Sequence, residues 1–152
     1  MMEVYDPRAK LQEEFIDCIN DSAAVITNGM VVVKDFAAIG ALTTLTSGIA
    51  KELATTTTSA NDATLLGVAY IEDGREVAIG ETFRVMKRGL HPAVLIDGGT
   101  DVAIGDALAS HTTAGVAAKA TAAVGAVLGH ALKAETDAYS TGQSIPVYVD
   151  VK

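Results

Sequence analysis

The sequence predicts a mainly β protein, one small domain built around a compact barrel and preceded by an N-terminal arm that is helical or extended. Three observations carry this reading. From Ser22 onward glycine recurs every several residues, and the segments between favour Val, Ile, Thr and Tyr, side chains that suit a pleated, half-buried surface. Glycine or asparagine also stands at the joints Asn28-Gly29, Asp73-Gly74, Arg88-Gly89, Asp97-Gly98-Gly99 and Thr141-Gly142, where the chain can take positive φ and reverse. Finally, 152 residues that are 49% apolar and only 5% aromatic, without Trp, suffice for one core made of small aliphatics. Such a core is marginal by itself, and burial between subunits would relieve it.

The composition changes once, near Asp21, which separates an arm over residues 1–21 from a β-rich body over residues 22–152. In the arm, Asp6-Pro7 reads as an N-cap followed by proline at the first helical position. Leu11, Phe15, Ile16 and Ile19 then recur at helical spacing opposite Arg8, Lys10, Glu13, Glu14 and Asp17, which predicts an amphipathic helix over 7–19. Its apolar stripe packs on its own subunit or docks on a partner, and Leu11, Phe15 and Ile19 are the candidate partner-binding residues. In the body, strands are expected at 25–27, 30–34, 65–72, 76–87, 93–96, 107–110, 116–118, 126–134 and 144–151. The stretch from Asp35 to Asp62 fits worst: residues 36–42 are compatible with helix or strand, and residues 54–61, with four consecutive threonines, read as an exposed loop.

Two internal echoes are visible. Val77-Ala78-Ile79-Gly80-Glu81 returns as Val102-Ala103-Ile104-Gly105-Asp106, and Leu66-Gly67-Val68-Ala69 is loosely repeated in Leu128-Gly129-His130-Ala131. Their spacing is uneven, so they read as repeated use of one strand-start device within a single barrel rather than as a solenoid. In that device a glycine turns the backbone and the acidic residue after it bonds nearby amides.

Catalytic constellations are missing. None of His91, His111 and His130 has a neighbour at metal-ligand spacing, and Asp97, Asp101 and Asp106 lack the alternating ligands and distal glutamate of an EF-hand loop. No phosphate-binding glycine motif and no Gly-x-Ser-x-Gly elbow occurs. The one cysteine, Cys18, can form no internal disulfide and is expected to be buried and inert. Eleven basic against 19 acidic side chains give a net charge of −8, which disfavours nucleic acid and anionic membranes as partners. No signal peptide and no apolar run of spanning length is present, so the expected place of synthesis is the cytoplasm. No catalytic residue, metal ligand or cofactor is expected.

From about Ser22 to Lys152 the sequence resembles the small head decoration, or cement, proteins of tailed bacteriophages. The resemblance lies in six pieces in one order: Asn28-Gly29-Met30-Val31-Val32-Val33, Leu66-Gly67-Val68-Ala69, residues 79–85 with Gly89, Ile104-Gly105-Asp106-Ala107-Leu108, residues 127–132 and the closing strand 145–151. It implies a homotrimer of β-barrel or β-tulip subunits that seats outside the expanded capsid, at three-fold and quasi-three-fold positions, and clamps neighbouring major capsid proteins. It implies a virion protein made in the host cytoplasm, with no enzymatic activity. Two other readings stay open: a tail or fibre-associated trimeric β protein, and a trimeric dUTPase-like nucleotide hydrolase. Leu95-Ile96-Asp97-Gly98 is similar to the substrate motif of the latter family, but its remaining motifs are missing.

Overall fold

The computed structural model describes residues 13–35, 52–97, 99, 101–121, 127–136 and 143–151. These hold nine strands: β1 (Glu14–Asn20), β2 (Val31–Lys34), β3 (Glu52–Thr55), β4 (Leu65–Tyr70), β5 (Thr82–Ile96), β6 (Ala107–Ser110), β7 (Ala117–Lys119), β8 (Gly129–Ala131) and β9 (Gln143–Asp150). The fold is mainly β, as expected, and no helix occurs among the described residues.

The pairings form two closed rings of five that share β5. In the first, β1, β3, β2, β4 and β5 follow one another and β5 returns to β1; in the second, β5, β7, β6, β8 and β9 do so and β9 returns to β5. The rings correspond strand for strand. Each contains one parallel pair, β1 with β3 and β5 with β7, and every other pair is antiparallel. Registers correspond as well: Val31 and Val32 face Val68 and Gly67 in barrel one, and Ala107 and Leu108 face His130 and Gly129 in barrel two. An antiparallel bridge ties Ile26 to Val77 in the first and Val102 to Glu135 in the second.

The small barrel expected from the sequence is present, the pairings close a second ring beside it, and the echoes acquire distinct meanings. Leu66–Ala69 and Leu128–Ala131 occupy corresponding places. In each, an added Cβ at the glycine would lie 2.1 Å from a carbonyl oxygen of the neighbouring strand, that of Met86 for Gly67 and Tyr148 for Gly129. No side chain fits there. The Val-Ala-Ile-Gly-acidic echo, in contrast, does one local job at two different places. The barrel-one counterpart of Val102–Asp106 is Ile26–Met30: Gly29 and Gly105 both have φ of +88° and donate to Ala69 and Ala131, whose own N–H groups bond back to Met30 and Asp106. Both turns suit glycine because positive φ falls at the third position.

The arm is corrected. Residues 14–20 form a strand, not a helix: β1 lies between β3 and β5 in the same sheet as the body. The rest of the expected helix, residues 7–12, lies outside the described residues. Spacing of four brings Phe15 and Ile19 to one side in a helix and in a strand alike, so the stripe did not discriminate. The inward residues do: Cys18 and Asn20 are fully buried, at strand period two.

Two further expectations change. Arg88-Gly89 is not a turn, because β5 runs unbroken for 15 residues. Its ladder shifts register near Arg88 and again between His91 and Val94, bulges that bend it from one barrel into the other. Pro92 sits at the second shift, where no donor is needed. Glu52–Thr55, half of it read as loop, is the strand that closes barrel one. The expected turn at Thr141-Gly142 lies outside the described residues.

Cys18, Val32, Leu66, Ala69, Phe83 and Val85 fill barrel one. Their counterparts Val94, Leu108, Leu128, Ala131, Ile145 and Val147 fill barrel two. Val31, Val33, Leu65, Val68 and Met86, on the outer side of barrel one, join the barrel-two cluster, so β2 and β4 are buried on both faces and read as unbroken apolar runs.

Candidate functional site

The partner-contact residues expected from sequence meet different fates. Leu11 lies outside the described residues. Phe15 and Ile19 are half-buried on β1, opposite Met86 and Thr82 of β5. Phe15 begins an aromatic row that runs inward from half-buried positions: its ring centroid is 5.2 Å from that of Tyr70, which meets the buried His91 ring edge-on at 5.6 Å. The Arg84 guanidinium lies 5.0 Å over the Phe15 ring, a cation–π contact. Burial, followed by the charges of Glu72 and Glu13, pushes the Tyr70 hydroxyl above its ordinary pKa, so it stays a neutral donor at physiological pH.

Beside this row lies an open groove of about 300 Å³ lined by Tyr70, Ile71, Glu72, Asp73, Arg75 and Arg84. Arg75 is engaged there by Asp73 at 3.7 Å and Glu81 at 3.4 Å. Arg75 and Arg84 stand there among the carboxylates of Glu72, Asp73 and Glu81, so the groove offers mixed hydrogen bonding beside an aromatic wall and no cluster of one sign of charge.

The groups considered for chemistry take structural places. His91 is fully buried: its Nδ1 accepts the Ala93 N–H at 3.1 Å, which leaves Nε2 to donate to the Ala69 carbonyl at 3.0 Å. Burial lowers its pKa, and the ring is neutral. His111 faces Asp97 at 3.7 Å, and the Asp97 carboxylate accepts the Gly99 N–H at 3.1 Å, turn chemistry of the expected kind. Asp106 accepts the Ala103 N–H at 2.8 Å and meets Lys119 at 3.1 Å, which together hold its carboxyl below the usual range. Cys18 is buried, and burial with the charges of Glu52 and Asp17 pushes its thiol up to about 12. It is a core side chain, not a thiolate. Of the dUTPase-like run, Ile96 is fully buried between the strands. Among the described residues no three His, Cys, Asp or Glu side chains gather where they could hold a metal ion.

Sequence reasoning missed a buried polar hub. Asn20 donates to the carbonyls of Ala24 and Val77 at 3.0 and 2.9 Å and accepts from the N–H and hydroxyl of Ser22 at 2.9 and 2.7 Å. It closes barrel one where barrel two has Ile96, which faces Ala117 as Asn20 faces Ala54. The signal was Asn20-Asp21-Ser22, a cluster read only as a boundary.

No family model matches the chain, and no curated protein matches it. Among solved structures it is similar to the N base of the head fiber gp8.5 of bacteriophage phi29, at a TM-score of 0.51 and 15% identity, over 91% of this chain and 95% of that one. The likeness spans both barrels, and at this identity it concerns the fold.

What the fold presents outward is surface. The two most exposed large apolar side chains among the described residues, Ile79 at 60% and Ile104 at 70%, project from the second position of the two echo turns.

Proposed function

We propose that this protein is a structural component of a tailed-phage virion, which binds the outside of the expanded capsid as a homotrimer, at three-fold and quasi-three-fold positions, and stabilises the shell. The observation that carries the reading is the likeness in fold to the base of a phage head fiber, over nearly the whole of both chains. The ordered strand motifs that resemble capsid decoration proteins support it independently. The mechanism is mass action: a protein that binds only the expanded shell lowers its free energy by RT ln(1 + [L]/Kd) per site, about 2.7 kcal/mol at a hundredfold excess over Kd. A net charge of −8 favours contact with protein over packaged DNA. Function then resides in binding without catalytic turnover, which the buried, neutral His91 and the protonated Cys18 support.

Purified protein added to undecorated expanded shells is expected to saturate at a fixed ratio to capsid subunits and to raise the shell disruption temperature, while unexpanded procapsids bind little. Absence of stabilisation at saturation, binding confined to the shell interior, or hydrolysis of dUTP that copurifies with the protein overturns the proposal. The phi29 neighbour is a fiber base, which favours a second reading, in which this chain seats a projecting fibre. Electron microscopy of decorated shells separates the two, since a cement protein occupies every equivalent position and a fibre base carries a projection.

A further inference from the structure

The correspondence between the barrels identifies a face that is covered in one and open in the other. On barrel one, Val31, Leu65, Val68 and Met86 are 1%, 6%, 0% and 0% exposed, because barrel two lies against them. Contact is direct: the Val31 N–H donates to the Gly115 carbonyl at 2.9 Å, and the Leu95 N–H donates to the Gly29 carbonyl at 2.9 Å. The residues at corresponding places on barrel two are Ala107, Val127, His130 and Tyr148. Here Val127 is 40% exposed, His130 is exposed, and Ala107 and Tyr148 are half-buried.

Leu90, Tyr148, His130 and Ala107 stand directly opposite one another on β5, β9, β8 and β6, so they share one side of the sheet. Leu90 is 47% exposed, and Leu132, whose N–H bonds to Pro146 of β9, is 44% exposed. With Val127, placed by its correspondence with Leu65, three of the six exposed large apolar side chains among the described residues lie on this one face. Scattered singly they would need no explanation, but gathered on a sheet they mark an interface.

We propose that this face of barrel two, centred on Leu90, Val127, Leu132 and Tyr148, is where a second copy of this chain docks in the trimer; the inference rests on the homotrimer reading above and names its interface. The chain itself shows what fits such a face, since the occupant of the corresponding face of barrel one is another barrel of the same architecture. Charge agrees. Copies of net charge −8 repel one another, and these face residues include no carboxylate, while the flanking Arg88–Asp150 and Lys119–Asp106 pairs are internally balanced. A barrel-two face meeting a different surface of the next copy is a head-to-tail contact, the kind that closes into a three-fold ring.

The test uses the full chain, with light scattering and far-UV circular dichroism. The wild type is expected at three times the 15.6 kDa chain mass, and the double variant Val127→Glu, Leu132→Glu at the mass of one chain with unchanged dichroism. Ile79→Glu, at an apolar site more exposed but on barrel one, is expected to stay trimeric. A trimeric wild type with a trimeric double variant overturns this interface and leaves the trimer standing. A monomeric wild type overturns the trimer and this proposal together. Should the double variant lose its fold, hydrogen exchange on the wild type decides: amides of His130 and Leu132 are expected to exchange faster on dilution below the trimer's dissociation range, and protection unchanged by dilution overturns the interface.

Discussion

Single residues decide where this chain tolerates no alternative. Gly67 and Gly129 lie where two strands approach too closely for any side chain, and Gly67 has φ of +153° in addition. Gly67→Ala and Gly129→Ala are each expected to cost about 3 kcal/mol or more through forced backbone displacement, read as a shift of the guanidinium midpoint. Gly67→Ala should be the worse, since it adds a backbone conformation that side chains rarely adopt. His91 makes stability depend on pH with a definite sign. Its folded pKa lies below the ordinary 6.5, so the unfolded chain binds the proton more tightly. The contribution is complete above about pH 6.5 and is lost progressively as pH falls toward the folded value. Protonation would also turn Nδ1 from acceptor to donor against the Ala93 N–H. The fall in Tm between about pH 7 and pH 5 is therefore expected to be smaller in His91→Gln than in the wild type; equal falls would show that His91 does not couple to folding.

At the level of elements, β1 shows why the arm was misread. Leu11, Phe15 and Ile19 recur every four residues, a spacing that suits both a helical face and one side of a strand. The decision falls to partners that only the tertiary structure supplies, the parallel register with β3 and the antiparallel register with β5. Because β1 closes barrel one and carries Asn20, removing residues 1–20 is expected to abolish the cooperative folding of that barrel rather than to leave an intact body. Far-UV dichroism and the urea transition of the truncated chain check this, and a sharp transition at the wild-type midpoint would contradict it. β3 escaped notice for a related reason: Glu52–Thr55 is short, ends in threonine and leads into a polar run, and its pairing partners lie far away in sequence.

For the whole molecule, the shared strand has an energetic consequence. β5 belongs to both rings, and five side chains on the outer side of barrel one complete the cluster that fills barrel two. Neither barrel can lose its order without stripping apolar surface from the other, at about 25 cal/mol per Å² exposed. Unfolding is expected as one calorimetric transition, with van't Hoff and calorimetric enthalpies equal. Two resolved transitions would mean that the barrels are independent domains joined by a strand.

The sequence by itself determined the class of fold, most strand positions and the turns at Asn28-Gly29 and Asp73-Gly74, because side-chain period and positive φ act over a few neighbouring residues. It also placed the glycines of the Leu-Gly-Val-Ala and Leu-Gly-His-Ala echo, whose meaning it withheld. Tertiary structure decided that there are two barrels, that Arg88-Gly89 continues a strand, and which apolar residues are covered. Val68 and His130 occupy corresponding places in the two barrels, yet one is sealed and the other open. Nothing local to either residue sets that difference; it follows from whether a further barrel lies against the face, and burial is a property of the neighbours that the fold brings together.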